Sequence, residues 1–311
     1  MNKQVFGLVF FLLASPTCFS QRVQWKAFRL TEENDFLNLT QRGIDRYYTQ
    51  GARFEFLYNA SKRKFSERLL VPLSSQSANM YSIALVQQIY TPKRTSDYNF
   101  VGDMPYAGTL YLSHKLESYD SSKSLRLTTR LDAGIIGPAA LGKEIQGVFH
   151  KIIGNDAAAG WDRQLRTDVL FNYFVGAEKQ LARIGSFMIE GRAAAQLGTL
   201  NVSAIGGLNL KLGNWHKQKK FQWQIFFLPE VRVMAYNALL QGGVFNQMFA
   251  APKYSEYFLN QIKPLVYSHG TGFQIRYQRF ELLYKQVNLT PEFSGQKPHY
   301  FGVVAFTSHF K

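Results

Sequence analysis

Between residues 22 and 310, apolar and polar side chains alternate in one short run after another. Ser124 to Ile136 shows the period most cleanly. Leu125, Leu127, Thr129, Leu131, Ala133 and Ile135 share one face, while Arg126, Thr128, Arg130 and Asp132 share the other. Successive side chains of a β-strand point to opposite faces, so a period of two predicts a strand with one apolar and one polar side. Phe221, Trp223, Ile225 and Phe227 alternate with Gln222 and Gln224 in the same way, as do Phe280, Leu282 and Tyr284 with Arg279, Glu281 and Lys285. About twelve windows of roughly ten residues follow one another. They are Arg22–Leu30, Gly51–Asn59, Met80–Tyr90, Tyr106–Ser118, Ser124–Ile136, Thr167–Lys179, Gly185–Leu197, Asn201–Leu212, Phe221–Met234, Pro264–Tyr277, Arg279–Asn288 and Tyr300–Phe310.

A soluble sheet shows the same alternation, but its apolar faces must then be covered. This chain supplies no matching set of helices or second-sheet strands. The pattern therefore predicts an all-β fold, a transmembrane antiparallel β-barrel of about twelve strands with lipid as the apolar partner. The connections agree. Tyr119–Lys123, Gln180–Ile184, Gly213–Lys220 and the junction at Gln278 are short, whereas Thr31–Gln50, Thr91–Pro105, Gly137–Arg166, Ala235–Lys263 and Leu289–His299 are long. Short turns at one rim and long loops at the other mark a barrel with periplasmic turns and outward loops. Two connections depart from the rule, the brief one near Gly198 and the long Ala60–Ala78 on the turn side. The chain closes on an amphipathic strand with Phe310 penultimate.

One long stretch does not alternate. From Gly137 to Trp161 the spacing of Ile145, Val148, Phe149, Ile152 and Ile153 predicts one apolar face of a helix of about three turns, stopped by Gly154. Gln146 and His150 stand one turn apart on one side of it. This short helix falls in a predicted extracellular loop.

Residues 1–20 read as an export signal. Lys3 supplies the positive start, Val5–Ala14 the apolar core, and Ser20 the small residue before cleavage at Gln21. The apolar run is shorter than the roughly 20 residues a spanning helix needs. The remaining 21–311 is expected to form a single barrel domain in the bacterial outer membrane. Cys18 is the one cysteine, so the exported chain has no disulfide to stabilise it. A net charge of +15 implies an anionic partner or surface. No nucleic-acid motif accompanies it, and an exported chain rarely meets nucleic acid.

The chemistry-bearing residues gather at the outward rim. Glu32-Glu33-Asn34-Asp35 ends the first strand, Asp45-Arg46-Tyr47-Tyr48-Thr49-Gln50-Gly51 enters the second, and the His150 helix lies between the fifth and sixth. His150 suits a general base acting on water in ester hydrolysis. Asn34, Asp35 and Glu33 are hard oxygen donors suited to Ca²⁺. Gln146 is placed to orient the base or the water, and Asp156 to hold the imidazole tautomer. The acids of Glu32 and Glu33 serve equally well to solvate a loop, and Tyr47 and Tyr48 read as aromatics of the membrane interface. No Gly-x-Ser-x-Gly element indicates a serine nucleophile.

At these residues the chain resembles the lipid A 3′-O-deacylase family of outer-membrane enzymes. The matching pieces are Asn34-Asp35, Asp45-Arg46-Tyr47-Tyr48-Thr49 with Gly51, Ile89-Tyr90-Thr91-Pro92, and Asp103 with Pro105-Tyr106-Ala107-Gly108. Gly134-x-x-Gly137-Pro138 with Gln146-x-x-x-His150-x-Ile152-Ile153-Gly154 and Trp161 completes the set. The resemblance implies a twelve-stranded barrel with its site between the wall and a loop helix. It also implies Ca²⁺ dependence and removal of the 3′-linked acyloxyacyl chain of lipid A (the membrane anchor of lipopolysaccharide). His150 then matches the base, Asn34 and Asp35 the metal site, and Thr49 and Gln146 polar site positions. Two departures stand out: Asp156 where the family has its acidic residue, and Lys93 as the nearest but out-of-register counterpart of a family lysine. No dimer motif is visible, so a monomer among outer-membrane lipids is expected. A non-catalytic barrel, porin-like or scaffold, and an outer-membrane phospholipase are the competing readings.

Overall fold

A computed structural model describes residues 23–40, 46–60, 65–93, 103–154, 158–215, 219–245 and 262–310. The predicted export signal lies outside the described residues. The strands are β1 Val23–Asn34, β2 Tyr47–Ala60, β3 Ala78–Thr91, β4 Ala107–Asp120, β5 Leu125–Ile136 and β6 Asp168–Ile184. They continue with β7 Phe187–Gly198, β8 Asn201–Gly213, β9 Phe221–Asn237, β10 Leu265–Tyr277, β11 Phe280–Leu289 and β12 His299–His309. Each pairs antiparallel with its chain neighbours, and β12 returns to β1, with Ala27 opposite His309 and Asn34 opposite Gly302. The sheet is a closed meander of 12 strands, so no edge is left unpaired. Among the described residues no helix is long and apolar enough to cross a membrane. Every window predicted from the alternation is a strand.

The barrel is apolar outside and polar inside. Leu30, Phe54, Phe56, Ile83, Leu85, Leu112, Phe171 and Trp223 are exposed on the outer wall. Inside, the buried Glu55 carboxylate is bridged by Arg29 at 3.5 Å, Arg53 at 3.1 Å and Lys115 at 3.3 Å, and accepts the Ser82 hydroxyl at 2.6 Å. Arg192 pairs with Glu230 and Lys211 with Glu190. A carboxylate withdrawn from water is tolerated only with such partners. Tyr47 and Tyr48 belong to this interior rather than to the membrane interface. Tyr47 packs edge-on against Phe293 and His299, and the Tyr48 hydroxyl donates to Glu33 at 2.6 Å. The irregularity between Tyr48 and Gln50 shifts the alternation there.

Both departures from the short-turn rule are real features. Outward, Thr199 and Leu200 alone join β7 to β8. On the turn side, the connection after β2 lies along the outer wall. Leu70 is buried against Tyr58, Tyr81 and Leu116, whose register places them on the lipid-facing side with Ile83 and Val175. Main-chain N–H groups of Val71 and Leu73 donate to Thr129 at 3.1 Å and Ser118 at 2.9 Å.

Candidate active site

Registered pairs divide the outer wall of β1–β4 into rows. Leu30, Phe54, Leu85 and Leu112 form one row, all exposed. The next row toward the outward rim is Glu32, Ala52, Gln87 and Leu110. Asn34, Gln50, Ile89 and Gly108 follow, and Thr49 meets Thr91 beyond them, hydroxyl to hydroxyl at 2.7 Å. With strands about 4.8 Å apart, such a row spans roughly 14 Å. On the face that meets lipid, β1 and β3 turn from apolar to polar within two residues, at Glu32 and Gln87, and β2 within four, at Gln50. Glu32 is hydrogen-bonded to Gln50 and Asn34. Asn34 also caps the 3₁₀ turn Asp35–Leu37, accepting from the Phe36 N–H at 2.8 Å, and Asp35 accepts the Arg46 N–H at 2.9 Å.

A helix spanning Gly142–Ile153 packs on the β3–β4 side of this wall. Its foot rests on Gly108, where the two glycine backbones approach so closely that a Cβ on Gly142 would sit 3.1 Å from the Gly108 Cα. The Gly137 N–H donates to the Gly108 carbonyl at 2.8 Å, and the Leu165 N–H to the Tyr106 carbonyl at 2.9 Å, so both ends of the loop are tied to the start of β4 and the residue before it. The helix contacts β3 and β4. At 1.5 Å per residue, His150 lies about 12 Å along the axis from Gly142. Gly154 in the left-handed conformation ends the helix, donating its N–H to the His150 carbonyl.

The sides of this helix are inverted relative to a helix on a soluble core. Ile145 and Val148, from the apolar stripe, are 36 % and 62 % exposed, whereas Gln146 and His150 are 2 % and 5 % exposed. Lipid solvates the apolar stripe, and the polar pair turns to the wall. Gln146 accepts the Trp161 indole N–H at 2.7 Å, and Trp161 packs with Tyr106 and Ile89. Gln146 thus positions the helix.

Asn34, Asp35 and Thr49 stand at the same outward rim as the helix that carries Gln146 and His150, and that helix packs on β3 and β4. Glu33 is on the other face: it lines an interior cavity of about 380 Å³ and receives the Tyr48 hydroxyl, so the wall separates it from the helix. Glu32 takes its place at the site. The phase of the alternation carried that signal, since Phe28, Leu30, Glu32 and Asn34 share a face. Lys93 follows β3 at the rim, its N–H held by Asp103 at 2.8 Å. Asp156 lies outside the described residues. Among the described residues no three acidic, histidine or cysteine side chains cluster as metal ligands. The donors on the site face are nevertheless all hard oxygens: Glu32, Asp35, Asn34, Gln50, Thr49 and Thr91. That set suits Ca²⁺, which accepts carboxylate, amide, hydroxyl and main-chain oxygens together.

Fold and site define a transmembrane β-barrel whose polar cluster opens to the surrounding lipid rather than to the lumen. The chain belongs to the family described as outer membrane protein LpxR, which matches residues 5–310. Among solved structures it is similar to LpxR from Salmonella typhimurium, with a TM-score of 0.75 at 20 % identity, covering 91 % of this chain and 100 % of that one. The autotransporter β-domain of Bordetella BrkA matches at 8 % identity over 93 % of this chain and 99 % of that one, with a TM-score of 0.41. The translocator domain of NalP from Neisseria meningitidis matches at 10 % identity, over 99 % and 95 %, also at 0.41. These two share little beyond being barrels. No curated protein sequence matches the chain.

Proposed function

We propose that this outer-membrane protein is a lipid A deacylase that hydrolyses the 3′-O-linked acyloxyacyl ester of lipopolysaccharide. The observation that carries the reading is a buried histidine and a row of oxygen donors on the lipid-facing wall, directly above an apolar row. A glycolipid in the outer leaflet presents sugar, ester and acyl chain in that vertical order. Exposed cations at the outward rim, such as Lys143, Lys151 and Arg166, are suited to its phosphates.

His150 acts as general base. It takes a proton from water as the water oxygen attacks the ester carbonyl carbon. The tetrahedral adduct then collapses, the bond from that carbon to the sugar 3-oxygen breaks, and the imidazolium returns its proton to that oxygen. The products are a fatty acid and a free 3-hydroxyl. General-base assistance is worth about 10²–10⁴-fold. Asp35, Asn34 and Glu32 would hold Ca²⁺, which supplies charge stabilisation at the carbonyl oxygen when bound. Gln146 and Trp161 keep the base facing the wall, and the apolar outer side of the helix keeps water sparse around it.

The test is fatty-acid release by purified protein in mixed micelles containing lipid A. Release that disappears with His150→Ala or calcium chelation supports the proposal. Release from glycerophospholipid instead indicates a phospholipase. Unchanged lipid A in a well-folded protein sinks the enzymatic reading in favour of a non-catalytic barrel.

A further inference from the structure

Gln87 lies on the outer face of β3, in the row of Glu32, between Ala52 and Leu110. Two residues along the strand, Leu85 is 41 % exposed to lipid, yet Gln87 is only 7 % exposed. The covering layer therefore begins between them, on the strand that the loop helix packs against. Within that cover the Gln87 Nε2 amide has no hydrogen-bond partner among the described residues. A buried donor without an acceptor costs stability, and native chains keep few of them. Sites that hold such strain are the ones where the missing partner arrives with a ligand.

We infer that the Gln87 side-chain amide is the donor that receives the ester carbonyl oxygen of the substrate as it becomes an oxyanion. The assignment rests on the deacylase reading above and names a residue that the sequence pattern did not single out. Its height on the wall is the reason. The oxygen donors of Asn34, Gln50, Thr49 and Thr91 lie above it, and the apolar row through Leu85 lies below. The ester is the chemical boundary between sugar and acyl chain, so its carbonyl belongs at the row between. A neutral amide suits that depth. It needs no counter-ion among lipids, and in a site of low dielectric its N–H is already oriented when charge develops.

The test uses purified full-length protein, with Gln87→Met to keep the shape without the donor and Gln87→Glu to place an acceptor there. Deacylation kinetics and thermal unfolding are measured on each. Gln87→Met is expected to lower kcat by about 10²–10³-fold, the usual effect of losing one oxyanion donor, with KM within a few-fold. Its unfolding temperature is expected to stay level or rise, because the substitution removes an unsatisfied group. Gln87→Glu is expected to fall below Gln87→Met. An active wild type matched by Gln87→Met overturns the assignment alone, as does a Gln87→Met whose lost activity tracks a lowered unfolding temperature. A wild type that releases no fatty acid overturns the deacylase reading, and the assignment with it.

Discussion

Gly142→Ala is the smallest change that should lift the loop helix from the wall. A Cβ at this position meets Trp161 Cη2 at 2.8 Å and the Gly108 Cα at 3.1 Å. Ordinary carbon contacts lie near 3.5 Å, so the helix foot must retreat by about 0.7 Å from the Trp161 ring. Trp161 does not yield easily, since its indole is bonded to Gln146 and its ring packs on Tyr106. Overpacking of this kind costs roughly 1–3 kcal/mol. A displacement approaching 1 Å at a catalytic group lowers the rate by up to about 10²-fold. Gly142→Ala should therefore reduce kcat/KM for lipid A deacylation by about 10- to 100-fold while the barrel, held by its strands, keeps its unfolding temperature. Gly147, on the same helix, has nothing within 4 Å of an added Cβ. Gly147→Ala gains up to about 1 kcal/mol of helix propensity and should leave activity unchanged. Activity preserved in Gly142→Ala, or lost equally in Gly147→Ala, would refute the close-packed foot as the element that sets the height of His150.

Three further outcomes follow from the geometry. Glu33→Gln should leave activity within about two-fold, because the side chain faces the lumen, whereas Glu32→Gln should lower it at least ten-fold and weaken the calcium response, as titrated with the metal. Trp161→Phe removes the indole N–H that the buried Gln146 carbonyl accepts, at a cost of about 1–3 kcal/mol, and should reduce kcat/KM about ten-fold; combined with Gln146→Leu, the two losses should fail to add. Glu55→Leu takes from Arg29, Arg53 and Lys115 the carboxylate they share inside the barrel and should destabilise it by about 3 kcal/mol, read as a lower temperature of heat-induced unfolding on gels.

The strands were legible because lipid enforces the alternation wherever it touches the wall. The pattern stops where lipid stops, which is why β1 runs on past Leu30 to Asn34 and β6 past Lys179 to Ile184. The β1 extension carries Glu32 and Asn34 at the outward rim, whereas the β6 extension lies at the opposite, turn-side rim. The helix boundaries were equally legible from the spacing and from Gly154, but its orientation was not, since an apolar stripe does not say whether protein or lipid covers it. Glu32 and Glu33 look alike as members of one acidic run at the rim, and only their phase counted from Leu30 sets Glu32 on the lipid-facing side and Glu33 in the lumen. Tyr47 eluded the pattern for a different reason: it holds a left-handed backbone at φ +63, and the irregularity at Thr49 resets the phase after it. Gln87 gave no signal at all, because a lone glutamine in a strand reads the same whether it is solvated or orphaned.

The mass of lipid A recovered from cells producing this protein is the decisive measurement. A deacylase with His150 as its base yields a species lighter by one acyloxyacyl unit and bearing a free 3′-hydroxyl, present with the wild type and absent with His150→Ala at equal outer-membrane levels. Lipid A of unchanged mass, or the same loss with His150→Ala, would contradict that reading.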